Sequence, residues 1–200
     1  MISKETANKV LSAALKTGGD LAEIYVEDRT SLNLQLDESK LEKAIRGADR
    51  GAGIRVFFGN FVAYAYTDDL SEESLLKAAA VARAAASGNS TSSIVDLTLR
   101  KSPLEYPVEK PFDSMSIAEK AALLGKMDET ARAYDPRVSQ VQAAYREMRR
   151  RVWICNSDGV YVEDDRNIAE VRNVVYAREG DVIQRASESF GGQMRLALLD

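Results

Sequence analysis

The chain of 200 residues contains no histidine. That absence removes Ser-His-Asp and Cys-His nucleophile systems, His-x-x-x-His zinc sites and imidazole acid–base catalysis together. Whatever chemistry remains must rest on carboxylates, lysine, tyrosine, a thiol or a bound cofactor. Cysteine is nearly as scarce. Cys155 stands alone, so no disulfide can close within the chain, and the usage suits a reducing compartment. No apolar run approaches the roughly 18–20 residues that span a bilayer. The amino terminus, Met1-Ile2-Ser3-Lys4-Glu5-Thr6, enters a polar helix start without an apolar signal core. A cytoplasmic protein, off the membrane, is the expectation. Positive charge is not in excess either. The net charge is −4 and the pI near 5.1, which gives no overall reason to expect a nucleic-acid partner.

What is present is the balance of a folded protein, with 45% hydrophobic and 29% charged residues. Ser3 caps a helix over 3–17, on which Ala7, Val10, Leu11, Ala14 and Leu15 recur at helical spacing, and Gly18-Gly19 ends it. Ala22, Ile24 and Val26, then Leu32, Leu34 and Leu36, alternate with polar residues as two strands about a turn at Asp28-Arg29-Thr30. Arg50-Gly51-Ala52-Gly53 reads as a break before a strand at 54–58, and Gly59-Asn60 as a hairpin turn into 61–66. Ser71 caps an alanine-rich helix to about Ala86, with Leu70 and Leu75 as a hydrophobic staple and Gly88 as its stop. Residues 88–114 hold three of the four prolines and read as an extended connector, with an added strand at Ile94–Leu99. Ser116-Ile117-Ala118-Glu119 is a capping box opening a helix to Tyr134, stopped by Asp135-Pro136. Val141, Ala143 and Tyr145 share one strand face. Val152–Cys155 and Val160–Val162 flank the hairpin signal Asn156-Ser157-Asp158-Gly159, and Ile168–Ala177 and Val182–Phe190 flank Glu179-Gly180. The expected fold is α+β, a mainly antiparallel sheet built from hairpins with flanking helices, in two similar halves. The halves are 1–87 and 115–200, joined by the connector 88–114.

Several motifs invite a chemical reading, and each has a simpler one. Gly51-Ala52-Gly53 resembles the start of a dinucleotide fingerprint, but Phe57 and Phe58 stand where the third glycine belongs, and a strand follows where phosphate binding needs a helix. Arg149-Arg150-Arg151 near Arg146 suits phosphate or an acidic partner. A strand divides such a run between its two faces, so a solvated edge strand or salt-bridged interface is the expected use. Glu163-Asp164-Asp165 lacks the offsets of a calcium loop. Cys155, beside Trp153 and Ile154, reads as a buried inert thiol. Ser187-Glu188-Ser189-Phe190-Gly191-Gly192 lacks the glycine that precedes serine in a nucleophile elbow. No catalytic, cofactor-binding or metal-ligating residue is assigned. Gly53 and Gly159 are expected at turns, with folding roles and no chemical one.

Two groups of residues, in order, resemble the amino-terminal region of the TldD/PmbA family of zinc metallopeptidases. The first is Arg50-Gly51-Ala52-Gly53-Ile54-Arg55-Val56 with Gly59, Ala63-Tyr64-Ala65-Tyr66-Thr67 and Asp69-Leu70-Ser71. The second is Asn156-Ser157-Asp158-Gly159 with Asp164-Asp165-Arg166 and Gly191-Gly192. The Gly-Ala-Gly-Ile-Arg and Asp-Asp-Arg variants look closer to the TldD branch, whose members carry the zinc site, than to the PmbA-like branch, which includes partners without it. The resemblance implies a His-Glu-x-x-x-His zinc site and a cysteine ligand in a separate carboxyl-terminal domain, beyond Leu196-Ala197-Leu198-Leu199-Asp200. It therefore implies zinc for a full-length parent and no cofactor here, the chain being a truncated form or an incomplete gene product. It further implies a peptide substrate for the parent, a homodimer or a heterodimer with a family member, and a region that shapes the peptide-access cavity. The competing reading is a stand-alone protein-interaction module with no enzymatic role. An acid–base enzyme using carboxylates alone lacks a paired-carboxylate site.

Overall fold

The computed structural model describes residues 2–86, 95–100 and 111–193. Serines open each of the three α-helices among the described residues. The Ser3 hydroxyl accepts from the Thr6 amide at 3.0 Å to start α1, Lys4–Leu15, and Gly18 and Gly19 follow it with φ of 114° and 133°. The Ser71 hydroxyl accepts from the Ser74 amide to start α2, Glu72–Ala85. Ser116 and Glu119 form the reciprocal capping box of α3, Ile117–Tyr134, whose last residue meets Asp135 in an extended conformation ahead of Pro136. The Gly88 stop lies outside the described residues.

The strands are longer than their sequence signals. β1 runs Leu21–Asp37, β2 Lys40–Phe58, β3 Phe61–Thr67, β4 Thr98–Arg100, β5 Val138–Asn156, β6 Val160–Glu179 and β7 Val182–Gln193. The hydrogen-bonded order is β3-β2-β1-β5-β6-β4, with β7 also paired to β6. β2–β3 and β6–β7 are antiparallel, β4–β6 parallel, and the fold is the expected mainly antiparallel α+β one.

Several local expectations are corrected. Asp28-Arg29-Thr30 is no turn: β1 runs straight through it, because both edges of the strand are paired and Arg29 reaches Asp49 at 3.0 Å. Arg50–Gly53 is no break and lies inside β2. Val152–Cys155 is the end of the 19-residue β5. Of the strand expected at Ile94–Leu99, Ile94 lies outside the described residues, and the strand found there, β4, starts only at Thr98. A short 3₁₀ turn, Phe112–Ser114, occupies the last residues of the connector.

The chain divides into two compact units, and their boundary falls inside each of β1, β2, β5 and β6. One unit takes the chain up to Arg29, the stretch from Asp49 through α2 and β4, and Arg150–Asp165. Its core sets Ala7, Val10, Leu11 and Ala14 of α1 and Leu75, Ala79 and Ala82 of α2 against Ala22, Ile24, Val26, Ile54 and Val56, with Trp153, Cys155 and Tyr161. The alanines of α2 let its backbone sit close over β3. The other unit takes Thr30–Ala48, the stretch from Phe112 to Arg149, and Arg166 onward. There Leu124 of α3 packs with Leu32, Leu34, Leu36, Ala143 and Tyr145. Among the described residues no helix is long and apolar enough to cross a membrane.

Candidate functional site

In the first unit Ala22, Ile24 and Val26 turn toward the helices, so Glu23, Tyr25 and Glu27 occupy the opposite face of β1. On that face the Tyr25 hydroxyl donates to Glu27 Oε2 at 2.6 Å. Arg150 donates through Nη2 to the Tyr25 oxygen at 2.7 Å and through Nε to Glu27 Oε2 at 3.0 Å. Burial first, then the Glu27 carboxylate, holds the Tyr25 phenol above its ordinary range. The Tyr25 hydrogen bond first, then Arg150, holds Glu27 below the usual carboxylate range. At neutral pH the group is therefore a protonated donor, a carboxylate and a guanidinium locked to one another. Such a cluster orients and binds; it has no free base or nucleophile. Beside it Arg55 approaches Glu23 at 3.7 Å.

The basic run at 149–151 thus divides as a strand requires. Arg150 joins the Tyr25 group, and Arg151 pairs with Asp165 at 3.4 Å. The edge-strand part of that expectation is corrected, because β5 lies between β1 and β6. Of the acidic triplet at 163–165, Asp165 is engaged by Arg151, and no group of three or more Cys, Asp or Glu residues is placed to hold a metal ion among the described residues. Cys155 is 1% exposed, and burial, with a lesser push from Glu23, raises its thiol to about 12. Ser187–Gly192 lies on β7, paired along β6 from Val174 to Ala169. With no histidine in the chain, a thiol held protonated and no clustered carboxylates among the described residues, the donor set described does not fit zinc.

The glycine motifs have structural explanations. A Cβ on Gly53 would stand 2.8 Å from Cε2 and the hydroxyl of Tyr64, so this glycine lets a ring of the neighbouring strand lie across it. Its φ is not left-handed, and the turn expected there is corrected. Gly159 does sit at the β5–β6 turn, with φ of 83°, and a Cβ would stand 2.7 Å from the Asp96 carbonyl. Within the same turn Asn156 Oδ1 accepts from the amides of Asp158 and Val160, and Ser157 exchanges two bonds with Ala22. Gly159→Ala is expected to lower stability by about 2 kcal/mol, combining left-handed strain with a backbone clash. Gly53→Ala should cost under about 1 kcal/mol, since the exposed Tyr64 ring can swing aside. Urea unfolding of both variants checks the order, and a Gly159→Ala chain of unchanged stability would refute the turn geometry.

Sequence reasoning missed the Tyr25–Glu27–Arg150 group. Its signal was Tyr-x-Glu in a strand, which puts both side chains on one face. The same spacing recurs at Tyr145 and Glu147, where the hydroxyl again donates to the carboxylate, at 2.5 Å.

Two sequence models of one family fall on the chain in order. PmbA/TldA metallopeptidase domain 1 matches residues 22–86, and the PmbA/TldA metallopeptidase central domain matches 110–199. The fold and these matches define the amino-terminal region of a metallopeptidase family. The chain belongs to the PmbA/TldD family. It is similar to the metalloprotease TldD homolog of Haemophilus influenzae, at 26% identity over 202 residues, covering 98% of this chain and 41% of that protein. The TldD homolog of Buchnera aphidicola subsp. Acyrthosiphon pisum is 28% identical over 153 residues, covering 74% of this chain and 30% of that protein. The chain thus spans less than half the length of these relatives. Among solved structures, a candidate DNA gyrase modulator from Thermotoga maritima shares the fold with a TM-score of 0.76 at 20% identity, over 95% of this chain and 43% of that one. TldE from Thermococcus kodakarensis does so with a TM-score of 0.70 at 17% identity, over 94% and 43%.

Proposed function

We propose that this chain is the non-catalytic amino-terminal portion of a TldD/PmbA-type metallopeptidase. It helps to shape the cavity that admits peptide and to support a homodimer or a heterodimer with a family member. Peptide hydrolysis, and the zinc that would supply a Lewis acid and an activated water, belong to the longer protein. The carrying observation is that two consecutive family domains cover 22–86 and 110–199 of a chain with no histidine. The same matches support keeping the sequential halves, 1–87 and 115–200, as the inherited pieces, although the compact units cut across them. A cytoplasmic setting fits the single buried thiol.

Metal analysis and a peptide-cleavage assay test this reading. Chain 1–200, dialysed against zinc and desalted, is expected to retain far less than one zinc per chain and to leave an unstructured peptide intact. A longer chain carrying the family's catalytic domain is expected to hold zinc and to cleave. One tightly held zinc in chain 1–200, or cleavage by it, would overturn the proposal.

A further inference from the structure

In the second unit Leu124 seats α3 over β1 and β5, and β6 and β7 continue the sheet beyond β5. A groove of about 420 Å³ lies between α3 and β6, within the size range of small-molecule sites. Met127, Ala131 and Tyr134 form its helical wall, with Asn173 of β6 facing them. The Asn173 side-chain oxygen is buried and has no hydrogen-bond partner among the described residues. A buried acceptor left unpaired costs stability, and a donor entering the groove recovers it. Glu188 of β7 stands directly across from Asn173, shares its face and is exposed. Two acceptors therefore stand side by side. Lys126 lies on the same wall as Tyr134, about 12 Å along the helix. It is exposed and makes no ion pair among the described residues. Tyr134 is 90% exposed, an aromatic ring open to contact from the groove.

We propose that this groove binds an aromatic amine with an anionic tail, the chemistry of an adenine mononucleotide. An exocyclic amine carries two N–H groups, one for the Asn173 oxygen and one for the Glu188 carboxylate. The Asn173 amide nitrogen donates in turn to the ring nitrogen beside that amine, the bidentate pairing that asparagine makes with adenine. Met127, Ala131 and the Tyr134 phenol supply apolar and aromatic surface for the ring. The phosphate carries its charge away from Glu188 to the free ammonium of Lys126. Charge and donor pattern together select this occupant. A ring with a keto group in place of the amine would set an oxygen against two acceptors and be rejected. The site is separate from the peptide cavity proposed above and does not depend on it. Its test involves neither hydrolysis nor zinc, so the two readings stand or fall apart.

The probes are adenosine monophosphate, inosine monophosphate and adenosine, titrated into chain 1–200 by isothermal calorimetry. Adenosine monophosphate is expected to bind at least about tenfold more tightly than inosine monophosphate, which has the keto group. K126M should weaken adenosine monophosphate by up to about fivefold, the scale of an exposed ion pair, and leave adenosine unchanged. N173L should bind the two nucleotides equally. Having lost a buried unpaired acceptor, it should also unfold at no lower urea concentration than the original chain. Adenosine monophosphate that gives no saturable heat, or that binds no better than inosine monophosphate, overturns the proposal. An N173L chain that keeps the preference also overturns it, as does one less stable than the original, whose asparagine must already have a partner. So does sedimentation showing a dimer that Y134K dissolves in a chain that binds no nucleotide, for then a second copy fills the groove.

Discussion

Lys120→Met is expected to lower the stability of the chain by about 3–5 kcal/mol, the cost of leaving one member of a buried ion pair alone. Lys120 is 3% exposed, and its ammonium donates to Glu147 Oε2 at 2.7 Å and to the Phe112 carbonyl at 2.7 Å. It also stands 5.7 Å from the centre of the Tyr145 ring. Without it, Glu147 keeps the Tyr145 hydroxyl as its one partner among the described residues, and the Phe112 carbonyl loses the Lys120 donor. The attraction within the pair is offset by the desolvation of both charges, so the pair as a whole contributes far less than either single loss. A triple variant, Lys120→Met with Glu147→Leu and Tyr145→Phe, should therefore recover most of the stability. Urea unfolding of the single and triple variants measures both quantities. A Lys120→Met chain as stable as the original would show that the ammonium is already well solvated.

Leu124→Ala should cost about 2–5 kcal/mol, the range for a large-to-small change in a packed core. The buried residues of α3 are Lys120, Leu124 and Asp128, a single row at four-residue spacing, and Leu124 is the only apolar one. Asp128 is held by the Ser39 hydroxyl at 2.6 Å and by Arg132, so it fixes the helix without adding apolar burial. The loss should be local. Hydrogen exchange is expected to show the α3 amides exchanging much faster while those of α1 and α2 keep their protection. Equal loss of protection in all three helices would mean that the two cores melt as one.

The helices were legible because their signals are local. Ser3, Ser71 and the Ser116–Glu119 box act within one turn, and the caps form as read. The strands were legible in phase but not in length. A polar triplet such as Asp28-Arg29-Thr30 looks like a turn when chain neighbours alone are considered. In the fold Arg29 has a partner twenty residues away on β2, and the strand continues. The stretch 40–49 carries no apolar alternation because nearly all of it is exposed, so it gives periodicity nothing to detect. Glycine misled at Gly53, since only the neighbouring strand shows that a Tyr64 ring needs the space. The motifs that carried the family resemblance turn out to hold turns and strand contacts. The polar Tyr25–Glu27–Arg150 group joins residues more than a hundred positions apart, a distance no local pattern crosses.

The four strands that pass through both units carry a rule of inheritance. On β1 the buried residues are 22, 24 and 26 on one side of the boundary and 32, 34 and 36 on the other, all of one parity. On β5 the core residues are 143 and 145 in one unit and 153 and 155 in the other, again of one parity, while Val152 is buried on the opposite face. A single residue gained or lost between these stretches would turn one set of side chains out of its core, while a change of two would keep both in place. Length variation among descendants of this sequence should therefore come in even steps at the middle of these strands, and be unrestricted at the hairpin tips.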